Sequence, residues 1–577
     1  MTIIRHIEIK NFRGISRGSW SPCAGINGLI GAGDSGKSTL LDAIDLALAA
    51  RRSVSFSDAD FYNLIVSQPI EITITIGKLP DTLLDFESYG LFLRGWNDVF
   101  ELVEAEPGEG LEPVLSVRLT VSGDLDPKWT LYSERAATDG VTRDLPYQVR
   151  RSLAPMRLGA FANHHFSWGA RSVLNRISEE RTSASEALAA AARQAREAFG
   201  DTASAEVGEA VKIVRTIAQS IGVRGAEGIT ALLDAHGVSF SGGTIALHDT
   251  NNVPLRNLGT GSSRLLVASL QAEADGGASI SLIDELEHGL EPHRISRLLH
   301  TLGSKATNPE QQVFLTTHSP NAVRELAASQ IWVVRRDGTG QLDIRTAGKS
   351  KADQATLRAC PEAFLAPSVL VCEGKTEVGL ARGLDLFWSS EGKASLAACG
   401  IAICEGDGGS MVGRAVAFAK LGYRTALWHD SDVELTTNQL NSLRSAGVTQ
   451  FHWRVPFSTE QQLFDAVPDN ALDELLNIAI DHVGKDSVDQ QIRNQNDKLS
   501  LDLVRLCGAS QQDREALGRA AGRGKWFKMV EPAERLGWMV LGPLLREFAD
   551  PVPGVIANLR AWILNPPQAE ADHDVVL

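Results

Sequence analysis

The sequence predicts a two-part α/β protein with a helical segment inserted in its first part. Three observations carry this. A glycine-rich string, Gly31-Ala-Gly-Asp-Ser-Gly36-Lys37-Ser38, stands between a strand pattern and a helix pattern. A stretch rich in Ala, Glu and Arg and free of proline runs over residues 178–218, as helices do. After residue 367, apolar strand patterns resume and end in acidic residues.

The bulk properties agree. A chain of 577 residues exceeds one ordinary domain. With 43% apolar and 22% charged residues it is not a largely disordered chain. No uncharged apolar run reaches the roughly eighteen residues of a membrane span, so no membrane association is expected. The opening MTIIRHIEIKNFRGI alternates like a strand and lacks the apolar core of a secretion signal; a cytoplasmic location is expected. Cys23, Cys360, Cys372, Cys399, Cys404 and Cys507 form no CxxC pair, which argues against zinc knuckles and thioredoxin-type chemistry. Reduced, mostly buried thiols are expected. The net charge of −15 does not attract nucleic acid through the overall field. Phosphate must therefore be handled by local basic patches or divalent metals. No repeat of 20–50 residues is present, which excludes a solenoid.

In chain order, strands are expected at residues 3–9 and 26–30, and a helix at 38–50 with Leu40, Leu41, Ile44, Leu46 and Leu48 on its apolar side. Residues 69–79 (PIEITITIGKL) alternate strictly, as a half-buried strand should. The helices of 178–218 either project as an assembly surface or pack as a subdomain. Strand signals return at 238–248, 278–283, 312–317 and 331–335. The polar stretch 336–367 reads as a junction, and a new αβ pattern begins at Ser368. The expected units are a first head segment (1–165), a helical insert for dimerisation (166–228), a second head segment (229–347), a linker (348–366), and a C-terminal domain ending in a helical, basic segment (367–577).

The glycine-rich string carries the first chemistry. Gly31, Gly33 and Gly36 let backbone N–H groups approach phosphates, with Asp34, Ser35 and Thr39 completing the loop and helix start. Lys37 reaches the β- and γ-phosphate oxygens and Ser38 ligates Mg²⁺. ATP and Mg²⁺ are the expected ligands. Ser281-Leu-Ile-Asp284-Glu285 is an apolar strand ending in acids, with Glu287 beyond. Asp284 suits an Mg²⁺-organising role and Glu285 the base that polarises water. Alone, such a string is as often a solvated acidic turn. Phe314-Leu-Thr-Thr-His318 ends a further strand, and His318 is a candidate γ-phosphate sensor. Gly259, Thr260, Gly261 and Ser262 precede an apolar helix and can hold phosphate at its start.

Together these strings resemble the ABC-type ATPase heads of the SMC and RecF class, including the opening IEIKNFRGI and Gly289-Leu-Glu-Pro292 where such heads carry a D-loop. The resemblance implies two heads sandwiching ATP, with the Gly259–Ser263 signature loop acting on the opposite protomer's nucleotide. The chain departs from the usual signature at Gly259, where serine is common, and at Ser262, where Gln or Glu is; Thr260 is the candidate hydroxyl. Asp60-Phe61 is the candidate Q-loop.

The second chemistry lies after residue 367. One strand ends in Glu373-Gly374, with Glu377 four residues on, and another ends in Asp430-Ser-Asp432; Glu460 opens an apolar helix. Five such carboxylates repel one another without cations and suit Mg²⁺, Mn²⁺ or Ca²⁺. A metal pair there can activate water for phosphodiester cleavage. Any one of these acids alone is more often a surface residue. The pattern is similar to a TOPRIM domain. Of the five tyrosines, Tyr62, Tyr89, Tyr132 and Tyr147 lie in the first half and Tyr423 leads into a strand. That disfavours a tyrosine nucleophile and leaves water.

An ABC head followed by TOPRIM resembles the OLD (overcoming lysogenization defect) family of ATP-dependent nucleases, which includes the nuclease subunit of Gabija antiphage systems. The resemblance implies that Glu373, Glu377, Asp430, Asp432 and Glu460 bind metal and that a C-terminal lysine assists the phosphate chemistry. Lys525 is the first candidate and Lys528 the reserve. Arg514, Arg519, Arg523, Lys525, Lys528 and Arg535 form a basic segment expected to meet DNA, with Trp526 and Phe527 either core or stacking residues. Asp407-Gly408-Gly409 reads as a tight turn near this site. The expected function is an ATP-dependent or ATP-regulated DNA endonuclease for antiphage defence or DNA processing. Double-stranded DNA, a second copy of the chain and a helicase-type protein are the expected partners. The alternatives are a non-cleaving RecF-like ATPase scaffold and a primase-like polymerase.

Overall fold

The computed structural model describes residues 2–48, 54–158, 208–220, 247–248, 250, 252–273 and 279–565, with 190 and 194 as single positions. The chain is mixed α/β, and its described strands form three sheets. Those of the first half run continuously apolar where they are central. Ile26–Ile30 is buried at every residue, as a strand covered on both faces must be. It lies inside a six-stranded sheet in the order Met156–Leu158, Ile280–Ile283, Gln312–Thr316, Ile26–Ile30, Ile331–Arg336, Leu342–Thr346. All neighbours pair parallel except the last two. The helix Lys37–Ala47 follows the central strand and buries Leu40, Leu41 and Ile44 against a second, antiparallel eight-stranded sheet.

That second sheet departs from expectation at Ile70–Gly77. Its alternating Ile residues are buried as expected, but Thr73 and Thr75 on the other face are buried too. A polar network covers them: Thr75 Oγ1 lies 2.8 Å from Ser116 Oγ, which accepts from Arg94 at 3.1 Å, and Arg94 pairs with Glu134 at 2.9 Å. Alternation reports which side is apolar, and not whether the polar side is wet.

Of the expected helical stretch, Gly208–Ser220 is described as a helix, with Ile213 and Val214 exposed. The remainder of 166–228, apart from positions 190 and 194, and residues 238–246 of the strand expected at 238–248 lie outside the described residues.

Residues 348–366, read as a linker, hold the helix Lys351–Ala359 and the turn Pro361–Leu365. Ser350 caps that helix by accepting from Asp353 N at 3.1 Å. Leu357 and Phe364 are buried in one apolar cluster with Ile26, Ile30 and Leu315 on one side and Val369, Val371 and Phe418 on the other. The segment is a packed wedge rather than a tether, because its polar residues fall on one helical face. Cys360 and Cys404 are joined in a disulfide across this wedge, Cα atoms 5.5 Å apart. This corrects the expectation of fully reduced thiols: two buried cysteines distant in sequence meet in the fold. Cys23, Cys372, Cys399 and Cys507 are free.

The C-terminal unit is a four-stranded parallel sheet in the order Ile401–Glu405, Ser368–Cys372, Arg424–His429, Thr449–His452. Helices from Thr459 to Leu564 pack beside the helix Lys375–Ser390. A side chain at Gly383 would strike the backbone of Glu534 and Gly537, so glycine is needed for this close crossing. Among the described residues no helix is long and apolar enough to cross a membrane.

Candidate functional site: an ATPase head beside a carboxylate cluster

The first site forms where Ile26–Ile30 turns into Lys37–Ala47. Gly31 has φ 148° and Gly36 φ 94°, and a Cβ at Gly31 would meet Val334 O, so the turn is confined to glycine there. Gly33 and Asp34 are exposed, and Ser35 is buried beneath them. Lys37 folds over the loop, donating from Nζ to Ala32 O (2.7 Å), Gly31 O (3.1 Å) and Ser35 Oγ (3.3 Å). Burial lowers its pKa. These carbonyls hold the ammonium where a phosphate would take it over. Ser38 is exposed and its Oγ donates to Asp284 Oδ1 at 3.1 Å, while Thr316 Oγ1 donates to the same oxygen at 2.7 Å. Thr39 follows, half-buried. The loop and the acid strand, far apart in sequence, therefore meet at Asp284. Hydroxyl and carboxylate oxygens at one point are donors that fit Mg²⁺.

Glu285 is exposed in a left-handed turn with φ 47°. Its N donates to Thr316 Oγ1 at 2.8 Å. Glu287, which the sequence reading left without a role, accepts from Thr317 Oγ1 (2.6 Å) and His318 N (2.7 Å), fixing the turn that presents exposed His318. Gly259 and Thr260 are exposed at the start of the helix Thr260–Glu273. Gly261 is buried against Gly289, and Ser262 Oγ accepts from Arg294 at 3.1 Å. Asp60 O accepts from Arg13 N at 2.7 Å and Phe61 bridges Phe12. Two arginines were missed. Arg13 pairs with Asp60 (2.9 Å) and Asp42, and Arg157 pairs with Asp42 (2.6 Å) and lies 3.8 Å from Asp284. Their partners are distant in sequence, so no local pattern marks them.

The second site lies at the ends of the parallel strands Ser368–Cys372 and Arg424–His429. Adjacency brings Glu373 to the Asp430 turn: Glu373 N donates to Trp428 O (2.8 Å) and Glu373 Oε2 accepts from Asp430 N (2.9 Å). Glu377, in the first turn of the next helix, is buried and accepts from Thr459 Oγ1 (2.6 Å) and Gly374 N (3.1 Å). Glu460 is 0% exposed. Its Oε2 accepts from Ser458 Oγ at 3.1 Å, and its Oε1 has no hydrogen-bond partner. The capping residues Ser458 and Gln461 position it, a signal that was present in the sequence.

These acids shift one another's protonation together with their burial. Burial, with Asp432, Glu373 and Glu377 nearby, pushes the Asp430 carboxyl up to about 9. Burial, with Glu373 and Glu460 beside it, pushes Glu377 up to about 7. Burial opposes the charge on Lys528, but Glu460, Glu377, Asp430 and Asp432 outweigh it and raise its pKa. Lys528 Nζ stands 3.6 Å from Glu460 Oε1. Of the two candidate lysines, Lys525 ends the helix Gln511–Gly524 in a left-handed conformation (φ 57°), and Lys528 is the one that stands toward the acids; both are exposed. Asp407 and Gly408 form a left-handed turn, and Gly408 N donates to Glu373 O at 2.9 Å.

Among the described residues no three His, Cys, Asp or Glu side chains are arranged to hold a metal as they stand. Several of these carboxylate oxygens are engaged by the local bonds above. The residues nevertheless fit a hard divalent cation: the donors are all carboxylate oxygens, one buried oxygen is unpaired, and burial together with neighbouring carboxylates raises the pKa of Asp430.

One cation of the expected basic segment is internal, while Arg523, Lys525 and Lys528 are exposed and Arg519 and Arg535 half-buried. Arg514 is buried, donating to Phe464 O at 3.1 Å and to Asp469 at 2.5 Å. Arg535 pairs with Asp481 (2.9 Å), Arg519 with Glu515 (3.6 Å), and Arg523 donates to Gln495 Oε1 (3.0 Å). Trp526 and Phe527 are fully buried around Phe464, which makes them core residues. Every cation of a segment counts toward its formal charge, but helical geometry sends some inward.

No curated protein matches the chain. Its similarity to solved structures includes the Smc head bound to the C-winged helix domain of ScpA (14% identity, 60% of this chain and 98% of that one, TM-score 0.35). It also includes the SMC head domain from Thermotoga maritima (12% identity, 60% and 99%, TM-score 0.30). A third is the Smc head with an extended coiled coil bound to the C-terminal domain of ScpA derived from Pyrococcus furiosus (14% identity, 60% and 96%, TM-score 0.33). Likeness at that level supports no inference about partners. A family model described as "AAA domain, putative AbiEii toxin, Type IV TA system" matches residues 26–324, the span that holds the phosphate loop, Asp284, Glu285 and His318. That is an ATPase domain, and the match covers just over half of the 577 residues. The chain belongs to this AAA-domain family.

Proposed function

We propose that the chain is an ATP-regulated, divalent-metal-dependent DNA endonuclease whose C-terminal unit is a TOPRIM-type nuclease. The observation that carries this reading is the convergence of Glu373, Glu377, Asp430, Asp432 and Glu460 with Lys528 at the ends of parallel strands, alongside a separate ATP site. When bound, divalent ions supply the Lewis acidity that activates water and stabilises a leaving 3′ oxygen. Glu373, Glu377, Asp430, Asp432 and Glu460 would hold those ions. Lys528 neutralises charge on the attacked phosphate.

In the head, Lys37 and the loop amides bind the ATP phosphates, Ser38 and Asp284 orient Mg²⁺, and Glu285 orients water. Two copies of the chain would sandwich ATP, with Gly259, Thr260, Gly261 and Ser262 of one meeting the nucleotide of the other. Double-stranded DNA is the substrate, in antiphage defence or DNA processing, with a helicase-type protein as a further partner.

A second reading, a non-cleaving RecF-like ATPase scaffold, is favoured by the absence of a ready ligand set among the described residues. Plasmid cleavage with Mg²⁺ or Mn²⁺, with and without ATP, separates the two. The nuclease cuts, and Asp430→Ala abolishes cutting while sparing ATP binding. A protein that leaves DNA intact under every metal and nucleotide condition is the scaffold.

A further inference from the structure

Arg264 follows the signature loop directly and is 0% exposed in the first turn of the helix Thr260–Glu273. Burying a guanidinium is costly unless its donors are met. Here Nη1 donates to Glu285 O (2.8 Å) and His288 O (3.0 Å), and Nη2 to Asp284 O (3.0 Å), while the buried Nε has no hydrogen-bond partner. All three acceptors are backbone carbonyls of the turn that carries the ATPase acids. A planar fork meets three carbonyls of one turn from two nitrogens set a fixed distance apart, whereas a lysine would have to reach them from a single point.

That turn needs holding. Glu285 is left-handed (φ 47°), a conformation that side chains other than glycine and asparagine rarely take. Such backbone persists when surrounding contacts over-determine it. Thr316 Oγ1 takes its N–H and Arg264 takes its C=O, so the peptide groups flanking Glu285 are fixed from both sides. The carboxylate itself stays exposed. The same turn touches the signature loop again, where Gly261 is packed so closely on Gly289 O that a Cβ would collide with it.

We propose that Arg264 is a positioning residue for ATP hydrolysis: it holds Glu285 in its left-handed conformation and ties that geometry to the Gly259–Ser262 loop. Phosphate contact at the loop is then felt at the water-orienting acid of the same chain. The inference rests on the ATPase reading of the head.

The test uses the full-length protein with Arg264→Met, which keeps the apolar stem and removes the fork, and Arg264→Lys, which keeps the charge. Fluorescent-ATP binding, steady-state ATP turnover and amide hydrogen exchange are measured on each. The expected result is nucleotide affinity within about threefold of wild type, kcat lowered at least tenfold with KM little changed, and partial recovery in Arg264→Lys. Exchange of the Glu285–His288 amides rises while the 31–39 loop stays protected. Unchanged kcat and unchanged exchange overturn the proposal. So does a general rise in exchange with loss of nucleotide binding in both variants, since that marks a merely structural arginine. Wild-type protein that binds ATP but never hydrolyses it overturns the ATPase reading, and the proposal with it as a statement about hydrolysis. Localised exchange at 285–288 would still separate the two failures.

Discussion

Replacing Asp430 with Asn should stabilise the metal-free protein and at the same time abolish its response to metal. Burial and neighbouring carboxylates raise the Asp430 pKa from 3.8 to about 9. The folded state therefore holds a proton that the unfolded chain releases. Stability from this group is unpenalised below pH 3.8 and falls as pH rises toward 9. At pH 8 the face-value penalty is about 6 kcal/mol, at about 1.4 kcal/mol per pH unit above the unfolded pKa. Solvent at the cluster mouth and coupling to Asp432 reduce this to about 1–2 kcal/mol. Asparagine is nearly isosteric, keeps the backbone bond to Glu373 and carries no charge, so the penalty disappears. For a unit of this size the gain corresponds to a Tm rise of roughly 2–8 °C. Calorimetry in EDTA at pH 8 and pH 5, then with Mn²⁺, reads it. The variant should exceed wild type at pH 8, converge toward it at pH 5, and lose most of the Mn²⁺-induced rise. A lower Tm at pH 8 in EDTA, or an equal gain at both pH values, would refute the reasoning.

Three further outcomes follow from the geometry. Lys37→Ala should weaken fluorescent-ATP binding by about a hundredfold or more, because the ammonium that now donates to Gly31 O and Ala32 O is the group that takes the phosphate. Lys528→Ala should lower DNA cleavage by about 10²–10³-fold, and Lys525→Ala by less than about threefold, read on a nicking assay under identical metal. Phe364→Ala should cost about 3–5 kcal/mol in denaturant unfolding, since the ring is buried in the wedge between the two parallel sheets. If the wedge joins them mechanically, both units should lose stability together, seen as one transition by circular dichroism.

Much of this layout was readable from residue order. The phosphate loop is contiguous, and its glycines, lysine and serine carry their own geometry. Parallel strands such as Ile26–Ile30 and Gln312–Thr316 announce themselves as short apolar runs, and acids at their ends mark the sheet edge where sites form. What escaped depends on how separate segments meet. Lys525 and Lys528 are three residues apart, and only the left-handed end of the preceding helix decides which one faces Glu460. Arg264 carries no local sign of its role, because its partners lie at 284, 285 and 288. The wedge 348–366 seemed a tether because it is polar overall, while Leu357, Cys360 and Phe364 carry its packing. Arg514 and Arg535 counted toward a basic surface although each is satisfied by carboxylates or carbonyls of the helical layer.

The most direct measurement is conversion of supercoiled plasmid by wild type and Asp430→Asn in Mn²⁺, with and without ATP. Nicked or linear product from wild type, suppressed by EDTA and absent from the variant at matched fold stability, is the expected result. Equal cutting by both proteins, or none by either across Mg²⁺, Mn²⁺ and every nucleotide state, contradicts the assignment of the carboxylate cluster as a phosphodiester-cleaving centre.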